Sequence, residues 1–157
     1  MKKMFLLAIC IVFAIATNAQ SNKDEVALLQ SAFGMSKQEL VKDFMKLSPN
    51  EATAFWSIYD QYETSRKEIG KKRIANISAY ADNYAELTGD KASEITKNSF
   101  GIQNDFLKLQ QKTFKKLSKE LSSLRAAQFT MFESYIENSI RTEIFDALPL
   151  IGEYDVK

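Results

Sequence analysis

The chain is 157 residues long, with 45% apolar and 26% charged residues and a formal net charge of +1, as for one ordinary globular domain. It has no histidine and a single cysteine, Cys10, which excludes histidine-dependent triads, Cys/His zinc sites and disulfide frameworks. Five glycines and two prolines are too few to punctuate a many-stranded sheet, and the balanced charge gives no overall pull toward nucleic acid.

Residues 1–20 have the form of a cleavable export signal. Lys2 and Lys3 make a basic head, Met4 to Ala16 is an unbroken apolar run, and Thr17-Asn18-Ala19 supplies small residues for a peptidase. The run is shorter than the ~20 residues of a spanning helix, so no stable membrane anchor is expected. Cleavage after Ala19 would place the protein in the periplasm or outside the cell. A lipoprotein anchored at Cys10 is disfavoured by the bulky Ile9 before it. Processing also removes Cys10, so stability must come from packing without disulfides.

Residues 21–148 then read as a single all-helical domain, with 149–157 as a tail. Asp24 to Phe33 is a short amphipathic stretch that Gly34-Met35-Ser36 interrupts. Ser36-Lys37-Gln38-Glu39 is a capping box opening a second short helix, which turns Leu40, Phe44 and Leu47 inward. Ser48-Pro49-Asn50-Glu51 is a stronger start, with a serine cap, a proline at the first helical position and a glutamate to complete the box.

From there Phe55, Tyr59, Tyr62, Ile69, Ile77, Tyr80, Tyr84 and Leu87 keep near-regular three/four spacing. The spacing predicts one uninterrupted rod from Pro49 to Leu87, ~58 Å long. Gly89 is expected to close it and Asp90 to cap the next helix, whose stripe is Ile95, Ile102, Phe106, Leu109 and Leu117. So short a link forces the two helices antiparallel. A last helix begins near Ser122-Ser123, carries Phe129, Phe132, Ile136, Ile140 and Ile144, and stops at Pro149. The predicted fold is therefore all-α, an elongated antiparallel helical hairpin with short flanking helices, too slender to enclose a reaction centre.

Two segments repeat. Leu47-Ser48-Pro49-Asn50-Glu51-Ala52-Thr53-Ala54-Phe55 aligns without gaps to Leu121-Ser122-Ser123-Leu124-Arg125-Ala126-Ala127-Gln128-Phe129. Each places a leucine before a serine cap and starts a core stripe at Ala and Phe, the pattern of a hydrophobic staple with an N-cap. On these stretches the chain resembles the Spy and CpxP family of small periplasmic proteins, which carry two LTxxQ motifs at helix starts. Serine here replaces threonine, and Glu51 and Arg125 stand where the motif has glutamine. The resemblance implies an elongated helical protein that dimerises into a thin cradle. It also implies ATP-independent chaperone activity or an envelope-stress role toward misfolded chains or a sensor.

Charge is clustered. Arg66, Lys67, Lys71, Lys72 and Arg73 face one acid, Glu68, within residues 66–73; Lys108, Lys112, Lys115 and Lys116 have none within 108–116. A hairpin turning at Gly89 brings both runs to one level and Arg73 level with Asp105. The predicted site is thus a positive belt flanked by Tyr62, Phe106 and Phe114, attracting acidic, partly unfolded chains and holding them by apolar contact. The arginines, at stripe positions, suggest a loosely covered middle. The alternative is that the lysines only solubilise the surface. Trp56 is the ring expected to be shared with a second subunit.

Glu133 with Glu137, Asp82 with Glu86 and Asp90 with Glu94 are carboxylate pairs at helical spacing, read as solvated faces. With no phosphate loop, nucleophile elbow or dinucleotide fingerprint, no cofactor and no catalytic residue is expected. The expected function is that of an exported binding protein for unfolded or partner polypeptides, with the homodimer that the resemblance implies. The alternatives are a regulatory partner of a membrane sensor or anti-sigma factor, and a carboxylate-based metal sensor.

Overall fold

The structure, a computed structural model, describes residues 36–152. The predicted signal segment, the stretch Asp24 to Phe33 and the end of the tail lie outside the described residues. Four α-helices follow in order: α1 (Lys37–Met45), α2 (Pro49–Asn83), α3 (Gly89–Glu120) and α4 (Ser123–Ala147), with a 3-10 turn at Tyr84–Glu86. No strand occurs among the described residues. The fold is all-α, as the periodicity predicts.

Local chemistry explains the ends. Ser36 forms its box with Glu39: the Glu39 amide donates to Ser36 Oγ at 3.3 Å and Glu39 Oε2 accepts the Ser36 amide at 2.9 Å. α1 stops at Lys46, whose φ of 44° is a left-handed cap usually left to glycine. At Ser48 both the amide and the hydroxyl donate to Glu51 Oε2, and Pro49 occupies the first turn. α2 then runs 35 residues, roughly 52 Å, to Asn83. The predicted rod thus ends four residues early, because Tyr84–Glu86 tightens into the 3-10 turn. The cap of α3 is also displaced: Thr88, in extended conformation, accepts from the Lys91 amide, and Gly89 is already helical. Asp90 is not the cap, since the threonine hydroxyl reaches the free amide first.

α2 and α3 form the antiparallel hairpin. Lys72 meets Asp105 at 2.9 Å and Lys116 meets Gln61 at 2.8 Å, within a residue of the predicted register. α4 is not a short flank: its 25 residues pack back along the hairpin as a third long helix. α1 sits across α2 and α4 at one end, with Phe44 stacked on Phe132 at 4.4 Å. The main core joins Val41 and Met45 of α1, Phe55, Ile58, Tyr59 and Tyr62 of α2, Leu117 of α3 and Phe129, Phe132, Ile136 and Ile140 of α4. Phe129 packs edge-on against both Phe55 and Tyr62 at 5.4 Å. Trp56, edge-on to Phe55 and Tyr59, packs against this same core in one copy of the chain, so its ring has partners without a second subunit.

The two repeats meet. Leu47 and Leu121 both pack against the core, and Ser122 accepts from the Arg125 amide at 3.1 Å. Arg125 then donates to both oxygens of Glu51, at 2.8 and 3.0 Å, and to the Met45 carbonyl at 2.9 Å. The fifth positions of the two motifs are therefore one fork-to-fork ion pair that clamps the starts of α2 and α4 to the end of α1.

That clamp has a pH signature. The Arg125 hydrogen bond, helped by those from Ser48, holds the Glu51 carboxyl at about 2 instead of the usual 4.5. A carboxyl lowered on folding stabilises the fold above its unfolded value and loses that contribution as pH falls through the folded one. Acid titration of thermal stability should therefore decline between about 4.5 and 2, and Glu51→Gln should flatten that segment of the curve. An unchanged acid limb in the variant would refute the clamp.

Candidate functional site

The middle of the bundle is ionic. Lys37, at the first turn of α1, reaches between the long helices and donates to Glu63 Oε1 of α2 at 2.6 Å and to Glu133 Oε2 of α4 at 2.8 Å. Tyr62 donates its phenol proton to the same Glu133 oxygen at 2.6 Å, and the Lys37 ammonium lies 5.2 Å from the Tyr62 ring centroid. Arg66 Nε donates to Glu63 at 3.0 Å, while Arg73 grips Glu137 of α4 with both guanidinium nitrogens. Three cations thus meet three carboxylates, with Lys37 and Arg66 each 7% exposed and Glu133 only 2%.

Electrostatics follows from this burial. Desolvation alone would raise the Glu63 carboxyl, but the Lys37 and Arg66 charges and hydrogen bonds outweigh it and leave it below the usual range. Burial, then the Glu133 charge, pushes the Tyr62 phenol well above its ordinary value. Tyr62 therefore serves as a neutral donor at any physiological pH. Glu133 Oε1 is buried with no hydrogen-bond partner among the described residues, which makes the two bonds to Oε2 its whole compensation.

This arrangement corrects the predicted belt. Tyr62, Phe106 and Arg66 are all buried and cannot touch a client. The middle is closed, because Glu63 of α2 and Glu137 of α4 take the arginines that interrupt the stripe, while Lys37 of α1 joins Glu63 to Glu133. Arg73 does not take Asp105; a single residue turns the helix by about 100°, so Lys72 takes it and Arg73 points to Glu137. Lys71 pairs with Glu68, and Lys116 donates to Gln61. Four of the nine belt cations, Arg66, Lys71, Lys72 and Arg73, thus have a carboxylate partner. Lys67, Lys108, Lys112, Lys115 and Lys116 stay exposed with no ion pair among the described residues. Glu133 and Glu137 are not a solvated pair, and among the described residues no three acidic, Cys or His side chains gather where a metal ion would sit.

Sequence reasoning does not single out Lys37 or Glu63 for this site, and it places Glu133 and Glu137 on a solvated face instead of the interior. The available signal was phase: Glu133 lies four residues after Phe129 and three before Ile136, in the middle of the inward stripe of α4.

A second feature lies outside the bundle. Phe100, Leu107 and Phe114 recur every seven residues on α3, and Leu124 and Met131 do so on α4 with Tyr135 four residues on; all six are exposed, Met131 by 73%. Gln110, between Leu107 and Phe114 on its face, donates to Ser134, three residues past Met131, at 3.4 Å. That bond sets the two apolar stripes side by side. Of the predicted aromatic partners, Phe114 alone belongs to this face. Lys108 and Lys115 directly follow Leu107 and Phe114 in sequence, about 100° further round the helix, and border the face with positive charge.

The fold and these two features define a slender helical bundle with a closed ionic middle and an apolar outer face. No family model, no curated protein and no solved structure matches the chain. No helix among the described residues is long and apolar enough to cross a membrane.

Lys37→Ala should lower stability by about 3–5 kcal/mol, since it removes the counter-charge of the buried Glu133 and leaves only the Tyr62 hydrogen bond. Lys67→Ala, on the surface, should change it by no more than about 0.5 kcal/mol. Urea unfolding measures both, and equal small effects would show that the ionic layer is not buried as described.

Proposed function

We propose that this chain is an exported, ATP-independent binding protein that holds partly unfolded or partner polypeptides on its α3–α4 face, in a chaperone-like or envelope-stress role. The observation that carries the reading is the pair of exposed apolar stripes bordered by unpaired lysines. Six large apolar side chains along two adjacent helices form a patch of the kind that marks an interaction surface. Lys108, Lys112 and Lys115 add long-range attraction for acidic segments, within a Debye length of ~8 Å at physiological salt.

Export rests on the basic head, apolar run and Thr17-Asn18-Ala19 at the start of the sequence. The paired Leu-Ser starts of α2 and α4 support the likeness to the Spy and CpxP proteins, with a Glu51–Arg125 ion pair in place of two glutamines. Binding suits the geometry better than catalysis, because the titratable groups of the bundle interior are locked in mutual ion pairs.

The test is suppression of aggregation. Added without ATP at equimolar amounts, the protein should lower light scattering from an unfolding acidic client. Leu107→Ser with Met131→Ser should abolish the effect while leaving helicity intact. Lys108, Lys112 and Lys115 changed to Glu should weaken it most at low salt. No suppression by the unaltered protein, or full suppression by the serine variant, would refute the reading. Capture of one tight partner through the same face, without general suppression, would favour the regulatory-partner role.

A further inference from the structure

Apart from the α3–α4 face, the bundle holds a cavity of about 520 Å³ between α2, α3 and the end of α4, beyond the Arg73–Glu137 pair. That volume lies in the range of small-molecule sites, roughly 300–1,000 Å³. Ile77, Ile95, Ile102 and Ile144 give it an apolar wall, and Leu148 to Ile151 border it where the chain leaves α4. Two phenols hold that border in place: Tyr80 donates to the Pro149 carbonyl at 2.7 Å and Tyr84 to the Leu150 carbonyl at 2.8 Å. The post-helical segment is therefore tied back onto the hairpin across some 70 residues of sequence, closer to a built wall than to a loose end.

The charge of the wall is one-sided. It contains Arg73 and Arg141 and no acid. Arg73 is neutralised by Glu137, but Arg141 makes no ion pair among the described residues, and its guanidinium lies 6.0 Å from the Phe145 ring centroid. The Asn76 Nδ2 hydrogens are spent on the Ile95 carbonyl and on Ser99, at 3.0 and 2.9 Å, while its Oδ1 is buried with no hydrogen-bond partner among the described residues. The slot is mostly aliphatic and its one uncompensated charge is a cation, a match for an anion carried on a hydrocarbon chain.

We propose that this cavity binds a long-chain aliphatic carboxylate, its chain among the isoleucines and its carboxylate against Arg141. The site is separate from the polypeptide-binding face and does not depend on that reading.

The experiment uses the whole protein with dodecanoate, dodecan-1-ol and dodecyltrimethylammonium, each below the concentration at which it aggregates. Calorimetry should show one dodecanoate bound per chain, and the melting temperature should rise with its concentration. Dodecan-1-ol should bind roughly tenfold more weakly, a loss of one charge-assisted contact, and the cationic amphiphile should not bind. Arg141→Gln should erase the preference for dodecanoate over the alcohol, and Ala92→Phe, which fills the slot from α3, should block both. No binding of dodecanoate, equal affinity for all three amphiphiles, or binding untouched by either substitution would overturn the proposal. Binding that appears only after Leu28→Asp with Leu29→Asp would assign the cavity to the chain's own residues 24–33 and overturn it as well.

Discussion

Three acids and three bases that cannot be left unpaired hold this bundle in one arrangement. Lys37, Arg66 and Arg73 come from α1 and α2; Glu63, Glu133 and Glu137 come from α2 and α4. Removing such charges from water costs several kcal/mol per ion, and only close, hydrogen-bonded partners offset it. Sliding α4 by one turn, about 5.4 Å, would keep apolar side chains in contact with apolar side chains but would strand Glu133. The apolar stripes alone tolerate such slips; the ionic layer does not. Register is therefore set by charge in the middle and by the Glu51–Arg125 fork at the end.

The same layer decides which side chains reach the surface. A closed, internally neutral middle removes Arg66 and Tyr62 from any surface role and directs attention to what the bundle leaves outside. On one side are the stripes of α3 and α4; at the far end is the cavity where the ionic layer stops and the tyrosine-tethered segment folds back. Both are apolar with cations at the edge, and neither depends on the titration of an interior group. The interior charges are satisfied by one another, and the exposed apolar groups and unpaired cations lie on the periphery.

Much of the fold is legible in the residues. The three/four stripes, the serine caps at Ser36, Ser48 and Ser122 and the short link at Gly89 specify the helices and the hairpin register to within a residue or a turn. The 3-10 turn at Tyr84 and the Thr88 cap were not legible, because Asp and Thr are both good caps and only geometry chooses between them. The belt keeps its outer lysines but loses its arginines to the interior, for a deeper reason. Sequence shows which charges share a level of a hairpin, but not that Glu63 turns Arg66 inward or that a third helix brings Glu137 to meet Arg73. The exposed stripes were partly readable: Phe114 was singled out, whereas Phe100, Leu107 and Met131 carry no mark in sequence that separates an outer heptad from an inner one.

Native-state hydrogen exchange across α1 tests the pinning role of the ionic layer most directly. If Lys37 locks α1 to both long helices, the amides of Val41 to Met45 open only with the whole bundle. They should then show the same free energy of exchange as those of Tyr62 to Arg66 and of Phe129 to Ile136. Exchange of the α1 amides by an independent, low-energy opening, while α2 and α4 stay protected, would contradict the account.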